Sequence, residues 1–149
     1  MSEPDEHVRY KAYLDEFAQV ADPDEAGLIG RVLADPDVIM AQAAVLRHLD
    51  RRAAVLCAEP GWEEWAQVMA RAVVRHPFLI RRLREWSLFR AVTLRLPWQQ
   101  DDLLAASDWL QLKAAAGPDP DALAVLADRG RTKRIRSTAR TRLAKPSRE

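Results

Sequence analysis

Proline and glycine divide this chain into short segments, and several of the divisions carry helix-start signals. Residues 22–25 read Asp-Pro-Asp-Glu, which supplies an N-cap, a first-turn proline and the acid of a capping box. An N-cap carboxylate accepts a backbone N–H that the helix leaves unpaired, and a proline at the first helical position sacrifices no hydrogen bond. Residues 35–37, Asp-Pro-Asp, repeat the signal. The other divisions fall at 60–61, 76–77, 97 and 117–121.

These divisions predict an all-α protein built from short helices. Glycine is scarce, alanine and leucine are abundant, and β-branched residues rarely alternate with polar ones, so we expect no β-sheet. We expect helices at about 5–20, 24–34, 37–56, 62–75, 77–95, 99–115, 121–129 and 132–144.

The apolar residues of these segments recur at intervals of three and four, which is the spacing of one helix face. Trp62, Trp65, Met69 and Val73 form one such stripe, and we expect most of the tryptophans to belong to the core. The segment 77–95 is apolar over a wider arc and is expected to be the central helix. Short loops favour antiparallel neighbours. We therefore expect a single helical domain over residues 1–144, with a short polar tail at 145–149.

Two segments have the layout of a helical repeat. Residues 119–143 contain a short first helix, a tight turn at Gly130 and a second helix patterned on Ile135, Ala139 and Leu143. This segment resembles a HEAT-type repeat, and residues 22–56 are similar in layout. The Trp-rich middle departs from the pattern, so both a HEAT-like α-solenoid and an irregular helical bundle stay open. HEAT-like proteins are mostly binding scaffolds, some bind nucleic acid and a few are DNA-repair enzymes, so the resemblance implies a surface and not a reaction.

Charges are segregated toward the two ends of the chain, although the formal net charge is only +1. The acidic residues of the N-terminal segment are Glu3, Asp5, Glu6, Asp15, Glu16, Asp22, Asp24 and Glu25. The basic residues of the C-terminal segment are Arg129, Arg131, Lys133, Arg134, Arg136, Arg140, Arg142, Lys145 and Arg148. Either end suits a charged partner, or the two ends pair with each other, within one molecule or by self-association.

The helix expected at 132–144 is the leading candidate for a binding surface. Only its line of Ile135, Ala139 and Leu143 can pack against other helices. The candidate partner-binding residues on its remaining faces are Arg131, Lys133, Arg134, Arg136, Arg140 and Arg142. Such a helix fits binding to a phosphate backbone, and it equally fits the polar outer face of a terminal repeat. Trp98 is the tryptophan we expect at the surface, as a further partner contact.

The sequence contains no recognisable pattern for catalysis, metal binding or cofactor binding. His7, His48 and His76 are not spaced as metal ligands, and the chain has neither a Gly-x-Ser-x-Gly elbow nor a glycine-rich phosphate loop. Cys57 has no adjacent base, so we expect a small core residue there. His76 precedes a proline and is expected at a helix end. We therefore expect a protein that is not an enzyme and that uses no metal or cofactor.

Three polar residues interrupt the apolar stripes. Arg90 falls within the apolar arc of segment 77–95, and Asp108 falls between Leu104 and Leu112. A buried guanidinium requires a partner, so Arg90 either reaches solvent along a local groove or forms a buried pair with Asp108. Gln42 lies in the middle of another stripe and is expected to hydrogen-bond a helix end.

These patterns favour a non-enzymatic helical scaffold that binds a protein or peptide. The alternative is a nucleic-acid-binding protein that uses the basic C-terminal helix. The arginines expected to assist it are Arg75, Arg81, Arg82 and Arg84. The N-terminus lacks the features of a signal peptide and no apolar run is long enough to span a bilayer, so we expect a cytoplasmic protein without membrane contact.

Overall fold

The structure, a computed structural model, describes residues 5–145. Within them the regular structure is entirely helical, without any β-strand, which confirms the prediction of an all-α protein. The helices are α1 (Glu6–Gln19), α2 (Glu25–Leu33), α3 (Val38–Leu56), α4 (Trp62–Ala72), α5 (Pro77–Leu94), α6 (Gln100–Ala105), α7 (Asp108–Ala115), α8 (Pro120–Arg129) and α9 (Lys133–Ala144). A short 3₁₀ turn, Asp22–Asp24, precedes α2.

Two of the aspartate start signals act as N-caps. The side chain of Asp37 accepts the backbone N–H of Met40 at the start of α3, and that of Asp119 accepts the N–H of Ala122 at the start of α8. The signal at 22–25 behaves differently, because its Asp-Pro-Asp forms the 3₁₀ turn without a side-chain cap. The predicted capping box there is wrong, since the carboxylate of Glu25 points into the protein interior and bonds other helices.

The segment 99–115 forms two helices, α6 and α7, where the sequence predicted one. The backbone is extended at Ala106 and at Ser107, which separate them. Ser107 caps α7 by accepting the N–H of Leu110, and its own N–H and hydroxyl both donate to the carboxylate of Glu85. The break is therefore held by a residue that lies 22 positions earlier in the chain.

The helices group into two compact units, Met1–Leu83 and Arg84–Glu149, and α5 contributes to both. The prediction of one domain over residues 1–144 stays a prediction. Of the predicted polar tail at 145–149, only Lys145 lies within the described residues.

In the first unit, α2 packs against α1, α3 and α4. The central core residues are Leu28, Ile29, Val32, Val45, Leu49, Met69 and Leu79. Gln42 of α3 hydrogen-bonds His76 directly before α5, and Asp50, farther along α3, pairs with Arg82, farther along α5. The contacts follow the same order on both helices, so α3 and the first part of α5 run parallel. The predicted bond from Gln42 to a helix end is confirmed.

In the second unit, α8 packs against α6, α7 and α9, and α7 packs against α9. The central core residues are Val92, Leu103, Leu110, Leu123, Leu126, Ile135 and Ala139. Gly130 joins α8 to α9 in a tight turn. A Cβ atom there would lie 2.6 Å from the carbonyl oxygen of Leu126 and 2.7 Å from a methyl carbon of Ile135, so the close approach requires glycine. The HEAT-like resemblance of this helix pair stays a prediction.

The predicted core positions of Trp62 and Cys57 are confirmed, since both are buried. Trp86 is buried as well, with its ring edge-on to those of Phe89 and Trp109.

Candidate functional site

Helix α9 carries most of the predicted partner-binding residues. The apolar side chains that pack against the second unit determine which of these residues reach solvent. Thr132 caps the helix by accepting the N–H of Ile135. Ile135 and Ala139 are buried in the core of the second unit, whereas Leu143, the third member of the predicted line, is exposed. Because this line fixes the rotation of the helix, the basic residues fall into two groups.

The first group consists of arginines that are engaged inside the second unit. Arg131 donates to the carboxylate of Asp108 at 3.0 Å and also to a carbonyl near the end of α6. Arg136 donates at 2.8 Å to the carbonyl of Gly130, the residue after α8, and Arg142 donates at 3.3 Å to a carbonyl in the turn after α7. All three arginines therefore donate to acceptors of the second unit itself.

The second group consists of Lys133, Arg134 and Arg140, which are exposed. Among residues 5–145, none of these three side chains has a hydrogen bond, an ion pair or a ring contact. Lys133 and Arg140 are two helical turns apart and share a face, with about 10 Å between them along the axis. Helix α9 contains no acidic residue. We call these three residues the cationic face of α9.

Trp98, the remaining predicted contact residue, is half-buried beside a cleft of about 530 Å³ in the second unit. The cleft lies between the loop after α5 and the start of α8. Arg95 in that loop has a left-handed backbone, with φ of 57°, and its guanidinium lies 3.9 Å from the carboxylate of Asp119. Trp98 therefore faces the cleft while also packing against the core.

The prediction that Arg90 and Asp108 form a buried pair is wrong. The side chain of Asp108 is 61% exposed and forms an ion pair with Arg131, while Arg90 is half-buried. The reason is the break at Ser107. Asp108 is the first residue of a new helix and its side chain is exposed there, whereas a single helix over 99–115 would have placed it within the apolar stripe.

The arginines in and just before α5 that were predicted to assist nucleic-acid binding differ in their exposure. Arg75, Arg81 and Arg84 are exposed. Arg82 is half-buried, with a terminal nitrogen 3.7 Å from the carboxylate of Asp50 and its guanidinium over the ring of Phe78. That these arginines share a surface with α9 stays a prediction.

A cluster of buried charged side chains in the first unit was missed by the sequence analysis. An oxygen of Glu25 lies 2.6 Å from Nε2 of His48, and the two side chains are only 4% and 1% exposed. Nε of Arg52 donates to the same oxygen at 3.1 Å, and the indole N–H of Trp65 donates to the other at 3.0 Å. One carboxylate on α2 thus links α3 and α4.

The surroundings of His48 determine what its ring can do. Arg51 donates to Nδ1 at 3.2 Å, so Nδ1 is an acceptor and Nε2 carries the hydrogen that is donated to Glu25. The ring also stacks on Phe17, with 4.3 Å between the centroids. A general base must reach the proton that it removes, but both nitrogens of this ring are occupied in the interior. The Glu25–His48 pair therefore acts in helix packing.

Burial raises the pKa of Glu25, but hydrogen bonds from His48, Arg52 and Trp65 outweigh it and hold this pKa below its ordinary value. The charged carboxylate is thus the favoured form. Asp22 extends the cluster to the surface through a second nitrogen of Arg52, at 3.1 Å. A pocket of about 310 Å³ lies beside it.

A second carboxylate cluster joins α1 to the turn before α3. Asp35 accepts hydrogen bonds from the hydroxyl of Tyr13 at 2.7 Å, from Nε of Arg9 at 2.9 Å and from the backbone N–H of Asp37 at 2.8 Å. The bonds from Tyr13 and then Arg9 lower the pKa of Asp35 to about 2. This cluster also serves packing, because it joins α1 to the turn between α2 and α3.

Several acidic residues of the N-terminal segment are engaged within the first unit. Asp5 caps α1, and Glu16 and Asp22 form ion pairs at 3.8 Å and 3.1 Å. Glu25 is buried and hydrogen-bonds His48 within the buried cluster. These contacts leave fewer carboxylates for the basic C-terminal segment, so pairing of the two ends, including self-association, stays a prediction. Glu3 and Arg148 lie outside the described residues.

An exposed apolar patch lies on the first unit where α3 approaches the start of α5. Ile39 is 85% exposed and Phe78 is 53% exposed. Gln42, one turn after Ile39, hydrogen-bonds His76, two residues before Phe78, so the segments that carry the two apolar side chains approach each other here. We define the apolar patch as Val38, Ile39, Val74 and Phe78, all of them exposed.

The class that the fold of residues 5–145 defines is an all-α protein of packed short helices. Among residues 5–145, no three His, Cys, Asp or Glu side chains are placed to hold a metal ion. In the same part of the chain, no helix has both the length and the apolar composition needed to cross a bilayer. Comparison with protein-family models, curated proteins and solved structures found no match.

Proposed function

We propose that this chain is a cytoplasmic, non-enzymatic helical-repeat scaffold that binds a protein or peptide partner. The observation that carries the proposal is the apolar patch, in which Ile39 is 85% and Phe78 is 53% exposed. Large apolar side chains that are exposed together are typical of interaction surfaces, because burying them against a partner removes apolar area from water.

The helix arrangement supports a scaffold. In the first unit α2 packs on both α3 and α4, and in the second unit α8 packs on α6 while α7 packs on α9. Helix pairs stacked in this way align their outer helices into extended surfaces, which helical-repeat proteins use to bind partners. The buried clusters around Glu25 and Asp35 join helices, so the exposed faces are left for binding.

Site-specific photo-crosslinking tests the proposal. A photoreactive phenylalanine analogue placed at Phe78 of the full chain, irradiated in the cells of origin, is expected to capture a discrete protein. The substitution Ile39→Asp should abolish this capture while leaving the reactive group in place. The matched control carries the analogue at Ala12, an exposed position of α1. A yield at Phe78 no greater than at Ala12 would reject the patch as the binding surface.

A second function, nucleic-acid binding, is favoured by the cationic face of α9, where Lys133, Arg134 and Arg140 are without a partner among the described residues. Neutralising phosphates with such residues releases counterions and supplies sequence-independent affinity. Repeating the irradiation in a cell lysate, with and without nuclease treatment beforehand, separates the two functions. Capture through the apolar patch should survive the nuclease, whereas material retained through α9 should be lost.

A further inference from the structure

We infer that the cationic face of α9 binds the phosphate backbone of double-stranded DNA. The inference rests on the second proposed function and is independent of the apolar patch. The sequence alone offers six basic candidates, five on this helix and Arg131 just before it. The structure reduces them to Lys133, Arg134 and Arg140, because Arg131, Arg136 and Arg142 donate to acceptors of the second unit itself.

The first turn of α9 carries positive charges, although negative charges stabilise the start of a helix. Unpaired N–H groups make the start of a helix partly positive, so acidic residues are stabilising there. Helices α4, α6 and α8 follow this rule with acids in their first turns, whereas α9 begins with Lys133 and Arg134 and has no acid. Arg136 and Arg140, four residues apart, add like-charge repulsion. An anion bound at this face would relieve both effects.

The side chains between the three cations indicate the kind of anion. Ser137 and Thr141 are exposed and lie between Arg134 and the line of Lys133 and Arg140. Hydroxyl groups donate readily to phosphate oxygens. The face has no aromatic side chain on which an unpaired base could stack, which favours a duplex over a single strand. It also has no large apolar side chain to anchor a protein partner or to enter a membrane.

The spacing of the cations suits a duplex backbone. Lys133 and Arg140 lie about 10 Å apart along the helix axis. Successive phosphates of one strand wind around the duplex axis as they advance about 3.4 Å along it, so long basic side chains at this spacing can reach neighbouring phosphates. Three cations on one rigid helix can therefore contact neighbouring phosphates of a single strand, without contacts to base edges. The binding should be independent of sequence.

Titration of the full chain with a short fluorescent DNA duplex, at several salt concentrations, tests the inference. Each neutralised phosphate contributes about −0.9 to the slope of log affinity against log salt. Three contacts therefore contribute about −2.7, or about a 40-fold loss of affinity between 50 and 200 mM salt. The triple variant Lys133→Gln, Arg134→Gln, Arg140→Gln should bind more weakly and lose this part of the slope. Each single variant should lose about 0.9.

The matched control is the triple variant Lys11→Gln, Arg47→Gln, Arg71→Gln. It removes three exposed basic side chains of the first unit and changes the net charge equally. Its slope should equal that of the unaltered chain. Circular dichroism of both triples should be unchanged, because all six side chains are exposed.

Three outcomes would overturn the inference. If the control triple weakens binding as much as the α9 triple, or alone weakens it, the chain binds nucleic acid but α9 is not the site. If no duplex binding is detected even at 50 mM salt, a concentration that favours phosphate contacts, nucleic-acid binding fails together with the inference. If poly-glutamate of equal charge binds more tightly than the duplex, the partner of α9 is an acidic protein.

Discussion

The carboxylate of Glu25 and the imidazole of His48 form a 2.6 Å hydrogen bond in the interior of the first unit, where neither side chain is more than 4% exposed. Arg52 brings a positive charge to the same carboxylate oxygen. A charge that is removed from water remains stable only while its partners stay in place. The packing of α2, α3 and α4 therefore depends on each member of this cluster.

Replacement of Glu25 is the most direct test of that dependence. Glu25→Gln should lower the free energy of unfolding by about 1–3 kcal/mol, because its amide replaces one carboxylate oxygen with a donor and leaves a donor of the cluster without an acceptor. The control is Asp24→Asn, one residue earlier and exposed, which should change stability by no more than about half a kcal/mol. Urea denaturation of both variants measures the difference. Equal midpoints would show that the cluster contributes nothing to stability.

Asp35 should make the protein sensitive to acid. Its pKa of about 2 in the folded protein lies below the value of about 3.9 for an unfolded chain. The folded state therefore binds this proton less tightly, so the contribution of Asp35 is fully present above about pH 4 and is lost as the pH falls through about 2. The stability difference between the unaltered chain and Asp35→Asn should be largest near neutral pH and should shrink over that range.

Denaturation curves recorded at a series of pH values measure this difference. Asp15→Asn, at an exposed position of α1, is the control and should show no such trend. A pH-independent difference for Asp35→Asn would mean that its hydrogen bonds do not favour the charged form.

The same substitution at two glycines should have opposite effects. Gly130→Ala places a Cβ 2.6 Å from a carbonyl oxygen and 2.7 Å from Ile135, and such overpacking typically costs about 1–3 kcal/mol. Gly30→Ala, in the middle of α2, meets nothing within 4 Å and should stabilise by about 0.4–1 kcal/mol, because alanine restricts the unfolded chain. Thermal unfolding of the two variants provides the measurement. Stabilisation by Gly130→Ala would disprove the tight turn between α8 and α9.

Ser107 and Asp108 are neighbours that should differ in importance. Ser107→Ala removes the cap of α7 and a donor to Glu85, so it should cost about 1–2 kcal/mol. Asp108→Asn breaks only an exposed ion pair with Arg131 and should cost less than about 1 kcal/mol. The two variants differ by one position, so denaturation midpoints compare them directly. A larger loss of stability for Asp108→Asn than for Ser107→Ala would mean that this carboxylate does more than form an exposed ion pair.

The helix boundaries were largely predictable because their signals are local. Asp37 and Asp119 each directly precede a helix and accept the N–H of the residue three positions ahead, so each signal lies within four consecutive residues. The division of 99–115 into two helices was not predictable in this way. Ser107 is a common residue, and what makes it a break is the carboxylate of Glu85 on another helix.

The candidate site was predictable only in part. The sequence identified the basic residues of α9 but not which of them are bonded within the second unit. That depends on carbonyls that Arg136 and Arg142 reach in turns of this unit. The Glu25 cluster was missed because Glu25 was interpreted as the acid of a capping box. A signal existed, since His48 interrupts the apolar stripe of α3 in the same way as Gln42.

The indole N–H of Trp65 donates to the buried carboxylate of Glu25 across the contact between α4 and α2. This proton exchanges with deuterium only when that hydrogen bond opens, so its nuclear magnetic resonance signal reports on opening of the contact between α4 and α2. Its exchange rate, followed across temperature and denaturant, would report whether α4 detaches before the rest of the first unit unfolds. Tryptophan labelling alone would then follow a local step of unfolding that signals averaged over the whole chain do not separate.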